Sequence, residues 1–236
     1  MRNGIPTPAD FQSRRVTQTE NAEVIRQSLY DFSLYPTAGA AAIAFFQSPI
    51  GQGFTSSVGA AAGSPKSIND TNMVLGGQLA SGVAAMIESI EVCVYPGSVA
   101  TANTYTLAAL GLFAAAAAVT VMHPANDVNI ILQSGVLRLQ ILQKDYLVET
   151  PLHRFPPKTY ISPEGAIASN SATQSEVGFV ATRAVGRPYY LEPEISIQSA
   201  VNFGVRLEWP GAVATPSGFN ARVGVILDGY IWRAAQ

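Results

Sequence analysis

Between Val201 and Trp209 every second side chain is apolar: Val201, Phe203, Val205, Leu207 and Trp209 alternate with Asn202, Gly204, Arg206 and Glu208. A two-residue period puts alternate side chains on opposite faces of a strand, whereas a helix would scatter these residues around its axis. The stretch therefore requires a sheet with one buried face. The same step recurs at Val223, Val225, Leu227 and Ile231 within 222–233, and another apolar–polar run covers Leu191–Gln198. Ser199 and Ala200 form a tight link and 210–220 is a longer loop rich in Pro, Gly and Ser. The three runs are accordingly expected as antiparallel neighbours. The last is expected to close its sheet by pairing with a strand made much earlier.

With 236 residues the chain has enough material for one large core. Only 13% of residues are charged, against about 25% in ordinary soluble domains. A surface this poor in charge implies a membrane environment or burial against copies of the same chain. Net charge is −2, and the only basic pair, Arg14 and Arg15, is followed by Glu20 and Glu23. Because affinity for nucleic acid grows with the number of phosphates neutralised, little direct nucleic-acid contact is expected. Cys93 is the sole cysteine, which excludes an intrachain disulfide and a cysteine metal site. Residues 1–8 lack the apolar core of a secretory signal.

Residues 1–24 read as an extended N-terminal arm and 25–236 as one β domain with insertions near 48–70, 96–126 and 151–177. Thr19–Phe32 has a helical start with Val24, Ile25 and Leu29 on one side, although Ser28–Tyr35 reads equally as a first strand. Ala41–Phe46 and Thr71–Leu75 read as strands, as does the run from Ala84 to Tyr95. In that run Met86, Ile90, Val92 and Val94 are expected on one face and Ser89, Glu91, Cys93 and Tyr95 on the other. Glu88 breaks the alternation and predicts a bulge or an edge position. Thr106–Met122 carries no charge and includes five consecutive alanines, 114–118. It is expected as a small-residue helix packed on the sheet or a neighbour, since a membrane span needs about 20 predominantly apolar residues. Asp127–Leu132 and Val136–Gln143 read as a hairpin that Lys144–Thr150 extends. Pro151–Gln174 reads as a long loop, a length that points to function or interaction. Gly178–Arg183 adds a short strand.

No catalytic, cofactor-binding or metal-ligating set emerges, and the chain is not expected to be an enzyme. His123 and His153 have no partner at ligand spacing. Gly51 and Gly53 lack the Lys-Ser/Thr continuation of a phosphate loop. Glu192 and Glu194 flank Pro193 and resemble a carboxylate pair for sugar chemistry, but two residues apart on a strand they share a solvent-facing side. No Gly-x-Ser-x-Gly element is present. Tyr189, Tyr190, Tyr230 and Trp232 are candidate recognition aromatics, with core or subunit packing as their ordinary use.

Many short strands with Pro/Gly-rich loops imply an all-β sandwich or barrel. Three stretches resemble the capsid proteins of tailless icosahedral phages with upright jelly rolls, the lineage of membrane-containing phages and adenovirus-type capsids. They are Phe45–Gly51; Asp70–Leu79 leading to Ile90–Val94; and Asn202–Trp209 with the terminal Val225–Arg233. The resemblance implies an eight-stranded jelly roll with long insertions, a compact double jelly roll being the alternative. It implies a major capsid protein assembled in the host cytoplasm into a virion shell, with no catalytic residues or cofactor. Its partners would be copies of itself, other capsid proteins, and an internal lipid membrane or another protein between shell and genome. A carbohydrate-binding or adhesin-like β-sandwich on a phage or cell surface is the principal rival reading, and a small membrane protein resting on Thr106–Met122 is the second.

Overall fold

The computed structural model describes residues 22–56, 61, 63–96, 124–158, 160–171, 174–184, 186–215 and 220–234. Residues 1–21 of the expected 1–24 arm, the alanine-rich segment Thr106–Met122 and His123 lie outside them, and residues 22–24 of that arm fall in the first strand. The described strands are β1 (Ala22–Arg26), β2 (Leu29–Tyr35), β3 (Ala42–Phe45), β4 (Val83–Tyr95), β5 (Val136–Ile141), β6 (Lys144–Glu149), β7 (Tyr160–Ser171), β8 (Gln174–Ala184), β9 (Tyr189–Ile197), β10 (Phe203–Glu208) and β11 (Ala221–Ala234). One α-helix, α1 (Pro124–Ser134), and a single 3-10 turn at Leu152–Arg154 complete the described elements. The protein is an all-β sandwich, as its alternation requires.

One sheet runs β1, β11, β4, β9, with β2 also on β11. β1 and β2 lie end to end along the same side of β11: Ala22–Arg26 face Ala234–Tyr230 and Leu29–Tyr35 face Leu227–Ala221. At their junction the Gln27 N–H donates to the Gly229 carbonyl at 3.2 Å. The other sheet runs β3, β10, β5, β6. Every pairing is antiparallel, and the pairings are nested: β2 with β11, β3 with β10, β4 with β9, β5 with β6. The expectation for the last strand holds, since β11 pairs with β1, β2 and β4.

The core lies between the sheets and joins Ile87, Ile90, Val92, Val94, Val223, Val225 and Leu227 of one to Phe45, Leu137, Leu139, Phe203, Val205 and Leu207 of the other. Glu88 is the bulge that the sequence anticipates: Asp228 pairs with Ser89 and Gly229 with Ile87, leaving Glu88 without a partner. The bulge also corrects one assignment. It resets the alternation, so Ala85 and Ile87 face the main core, while Met86 belongs to a separate cluster with Ala84, Tyr230 and Trp232. Gly229, opposite the bulge, has no room for a side chain, because a Cβ there would stand 2.0 Å from the Met86 carbonyl oxygen. Gly229→Ala is expected to cost about 1–3 kcal/mol by forcing the backbone apart. Gly211→Ala, which meets nothing within 4 Å, is the matched control, both read from urea midpoints.

Several other expectations are corrected. The helix expected over Thr19–Phe32 is replaced in its described part by β1 and β2, the strand alternative at Ser28–Tyr35 being the one realised. Asp127–Leu132 is helix, not half of a hairpin. Val128, Ile131 and Leu132 follow the i, i+3, i+4 spacing of one helix face and pack on the core, and Asp127 lies in the first turn, where the helix dipole favours a carboxylate. The Trp209 indole N–H donates to the Ile131 carbonyl at 2.9 Å and ties this helix to the end of β10. Thr71 and Leu75 make only isolated bridges, to Asp31 and Gln78. Successive C-terminal runs are not sheet neighbours: β9 pairs with β4, whereas β10 pairs with β3 and β5. The link at Ser199–Ala200 instead crosses between sheets, with Ala200 at φ 56 and its N–H on the Leu79 carbonyl. Finally, Pro151–Gln174 is not one loop. It contains the 3-10 turn and β7, which pairs with β8 in a separate two-stranded ribbon. Pro163 lacks an N–H, a defect that a ribbon with one open side per strand accommodates.

The segment between β3 and β4 closes one flank of the sandwich. The Phe32 N–H donates to the Asp70 carbonyl at 2.7 Å and the Tyr30 N–H to Asn72 Oδ1 at 3.0 Å, which caps the free edge of β2. A buried polar group holds this segment down. Asp31 accepts from Lys66 Nζ at 2.6 Å and from the Phe46 N–H at 2.6 Å. Asp70 accepts from Thr55 Oγ1 at 2.6 Å and from the N–H groups of Ser56 and Ser67.

Candidate functional site: an open groove and a charged latch

On the opposite flank β6 ends one sheet and β9 ends the other. Between them lies an open groove of about 620 Å³ lined by Tyr146, Leu147 and the run Tyr189–Ser196, with Gln198. Neither bordering strand is regular. Leu139 pairs with Leu147 and Gln140 with Asp145, so Tyr146 is an unpaired bulge residue on β6. On β9, Tyr190 pairs with Ser89 and Ile195 with Ile87, so residues 191–194 arch away opposite Glu88. Bulges and a proline are the usual means of blunting an exposed edge.

The groove's aromatic groups are held from behind. Phe155 packs on Tyr189 with ring centroids 4.7 Å apart, and the Arg154 guanidinium stands 5.4 Å from the same ring. The Tyr189 hydroxyl donates to Glu149 Oε1 at 3.2 Å. Burial, followed by the Glu149 charge, pushes the Tyr189 phenol above its usual range, so it remains a donor. Arg187 stands 5.4 Å from the Tyr190 ring and Lys144 5.5 Å from that of Tyr146. Tyr190 and Tyr146 themselves are exposed, at 44% and 50%.

The sequence singled out Tyr189, Tyr190, Glu192 and Glu194, and the structure brings all four to this groove. It separates Tyr230 and Trp232 from them, burying both against Ala84 and Met86. Tyr146 was not a sequence candidate. Its only signal was position on a run extending the β5 hairpin. His153 is exposed in the 3-10 turn, beside a smaller apolar pocket lined by Val92, Leu132, Phe155 and Pro157 among others. Among the described residues no group of three or more His, Cys, Asp or Glu side chains could hold a metal ion. Cys93 is buried, and burial, then Glu91, pushes its thiol up to about 11, so it remains protonated at neutral pH.

A second cluster latches the start of the ribbon to the first sheet. The Lys158 N–H donates to Glu91 Oε2 at 2.9 Å, and its ammonium lies 3.5 Å from Glu91 Oε1 and on Asp228. Arg26 reaches Asp228 at 2.8 Å and Glu88 at 3.3 Å. Burial pushes the Asp228 carboxyl up, but hydrogen bonds and charge from Lys158 and Arg26 together hold it below the usual range. A depressed acid contributes stability above its unfolded value, about 3.9, and loses it as pH falls through the folded value. Asp31 acts in the opposite sense, since burial outweighs Lys66 and raises it. The clean readout is therefore the stability difference between the natural chain and Lys158→Met. It is expected to be present at neutral pH and to vanish as pH falls through the carboxylate range, as measured by urea unfolding at a series of pH values.

No family model matches the chain, nor does any curated protein or solved structure. No helix among the described residues is long and apolar enough to cross a membrane.

Proposed function

We propose that the chain is a non-enzymatic structural subunit, a viral capsid protein of the upright jelly-roll type that assembles with copies of itself into a shell. The observation that carries this reading is the nested pairing. β2 with β11, β3 with β10, β4 with β9 and β5 with β6 is the pattern of one long antiparallel hairpin rolled into two sheets, with β1 as an extra strand on β11. Such a pattern supports the reading of a single jelly roll, a fold used by capsid and lectin domains.

Surface chemistry supports the same reading. Among the described residues Asp31, Lys66, Asp70, Glu91, Asp127 and Asp228 are all buried, so these charges do not contribute to the outer surface. Phe54 and Val74 are exposed at 73% and 74%, and Ile68 and Leu142 at 58% and 67%. These exposed apolar side chains are available for contacts between copies. Weak contacts repeated around a closed shell reinforce one another. A lipid membrane or another protein between shell and genome fits the absence of a basic run in the sequence.

The test is native mass measurement and electron microscopy of the purified chain across a concentration series. Discrete closed particles or a defined oligomer are expected, and Phe54→Lys with Val74→Lys should reduce assembly without lowering thermal stability. A strict monomer at every concentration overturns the proposal.

A further inference from the structure

We propose that the groove between β6 and β9 is a binding site for a neutral oligosaccharide, gripped by the rings of Tyr146 and Tyr190 and by the polar groups of Glu192, Glu194 and Gln198. The inference does not rest on shell assembly and holds for the chain in any oligomeric state. Its first support is size. At about 620 Å³ the groove falls within the range of about 300–1,000 Å³ typical of ligand sites, and its open form admits a linear chain.

The second support is what the edges refuse. An added peptide strand needs a continuous row of backbone donors and acceptors. β6 is interrupted by the bulge at Tyr146, and β9 arches away over residues 191–194, where Pro193 has no N–H. A ligand here must therefore be recognised by side chains.

The third support is the chemistry of those side chains. Tyr146 and Tyr190 offer ring surface to solvent although each is already braced by a cation, Lys144 and Arg187. An aromatic face suits the C–H surface of a pyranose ring, and its hydroxyl serves the wet side. Carboxylates accept from sugar hydroxyls in charge-assisted hydrogen bonds. Glu192 and Glu194 line the groove and Lys144 and Arg187 stand against its tyrosine rings, so groups of both signs are near and no cluster of one sign selects an ion. A polyhydroxyl ligand without net charge fits best.

The experiment presents the full chain to an array of α-1,4- and β-1,4-linked glucans of roughly two to six units, lengths suited to a groove of this size, with sulfated and sialylated glycans alongside. Titration calorimetry with the best glucan follows. Binding of a neutral glucan is expected. Tyr146→Ala and Tyr190→Ala should each weaken it by about tenfold or more, and Glu192→Gln should weaken it less. Phe54→Ser, in the distant segment between β3 and β4, should leave it unchanged. Both tyrosines are surface residues, and unchanged melting temperatures will separate lost binding from lost folding. No binding to any neutral member at millimolar concentration, binding confined to the charged glycans, or binding that survives the Tyr146→Ala/Tyr190→Ala double variant overturns the proposal. So does a double variant whose only defect is lost self-association, which would make the groove a contact between copies.

Discussion

Lys66→Met is expected to destabilise the protein by about 3–5 kcal/mol, the cost of leaving a buried charge without its partner. The Lys66 ammonium and the Asp31 carboxylate are 2.6 Å apart with side chains only 6% and 1% exposed. Without Lys66, Asp31 keeps the Phe46 N–H but has no cation in a site that water does not reach. The double variant Asp31→Asn/Lys66→Met is expected to recover most of the loss. Asparagine removes the charge and still accepts from Phe46, and replacing both members of a buried pair is often neutral. Urea midpoints of the three proteins give the comparison. A Lys66→Met protein as stable as the natural one would mean that the pair does not anchor the segment between β3 and β4.

Phe203→Ala is expected to cost about 3–5 kcal/mol, the transfer and cavity terms for a buried phenylalanine. The side chain is 3% exposed, and its ring packs on Phe46 at 5.6 Å between centroids. Three residues on, Arg206 points outward, 55% exposed, with Glu208 at 3.1 Å. An exposed pair of this kind contributes little, so Arg206→Ala should change stability by no more than about 0.5 kcal/mol. Equal losses for the two variants would contradict the facing of β10 that the core requires.

Strand identity was legible wherever one face is dry and the other wet. Phe203, Val205 and Leu207 against Arg206 and Glu208 read directly, and Glu88 announced its own bulge because it broke an otherwise apolar face. Partnership was less legible. A two-residue link such as Ser199–Ala200 suits a hairpin and a crossing between sheets equally, and which one forms is set by strands far away in sequence. Asp127–Leu132 is ambiguous in sequence because a short apolar run satisfies both periods, and only packing on the core and the bond from Trp209 distinguish them. The ribbon is hidden by Pro163 and by the prolines just before it, which argue for loop unless the strand has an open side. The site was half visible. Tyr189 and Tyr190 stood out as an adjacent pair, but Tyr146 joins them only because β6 and β9 border the same flank, a relation that exists only in the fold.

The place of β11 has a consequence for synthesis on the ribosome. It sits between β4 on one side and β1 and β2 on the other, with Tyr35 paired to Ala221. During translation β2 must wait for β11, and at about 5–20 residues per second that interval is roughly 10–40 s. Until β11 emerges, β2 and the later-made β4 have no central strand to join, and apolar faces such as those of Val92 and Val94 lack their final cover. Such long-range pairing is slow and exposes a chain to aggregation. Nascent chains stalled before residue 221 are therefore expected to be protease-sensitive and chaperone-bound. Chains stalled with residue 234 clear of the exit tunnel should be protected, and equal protection of both would show that the sandwich forms without its central strand.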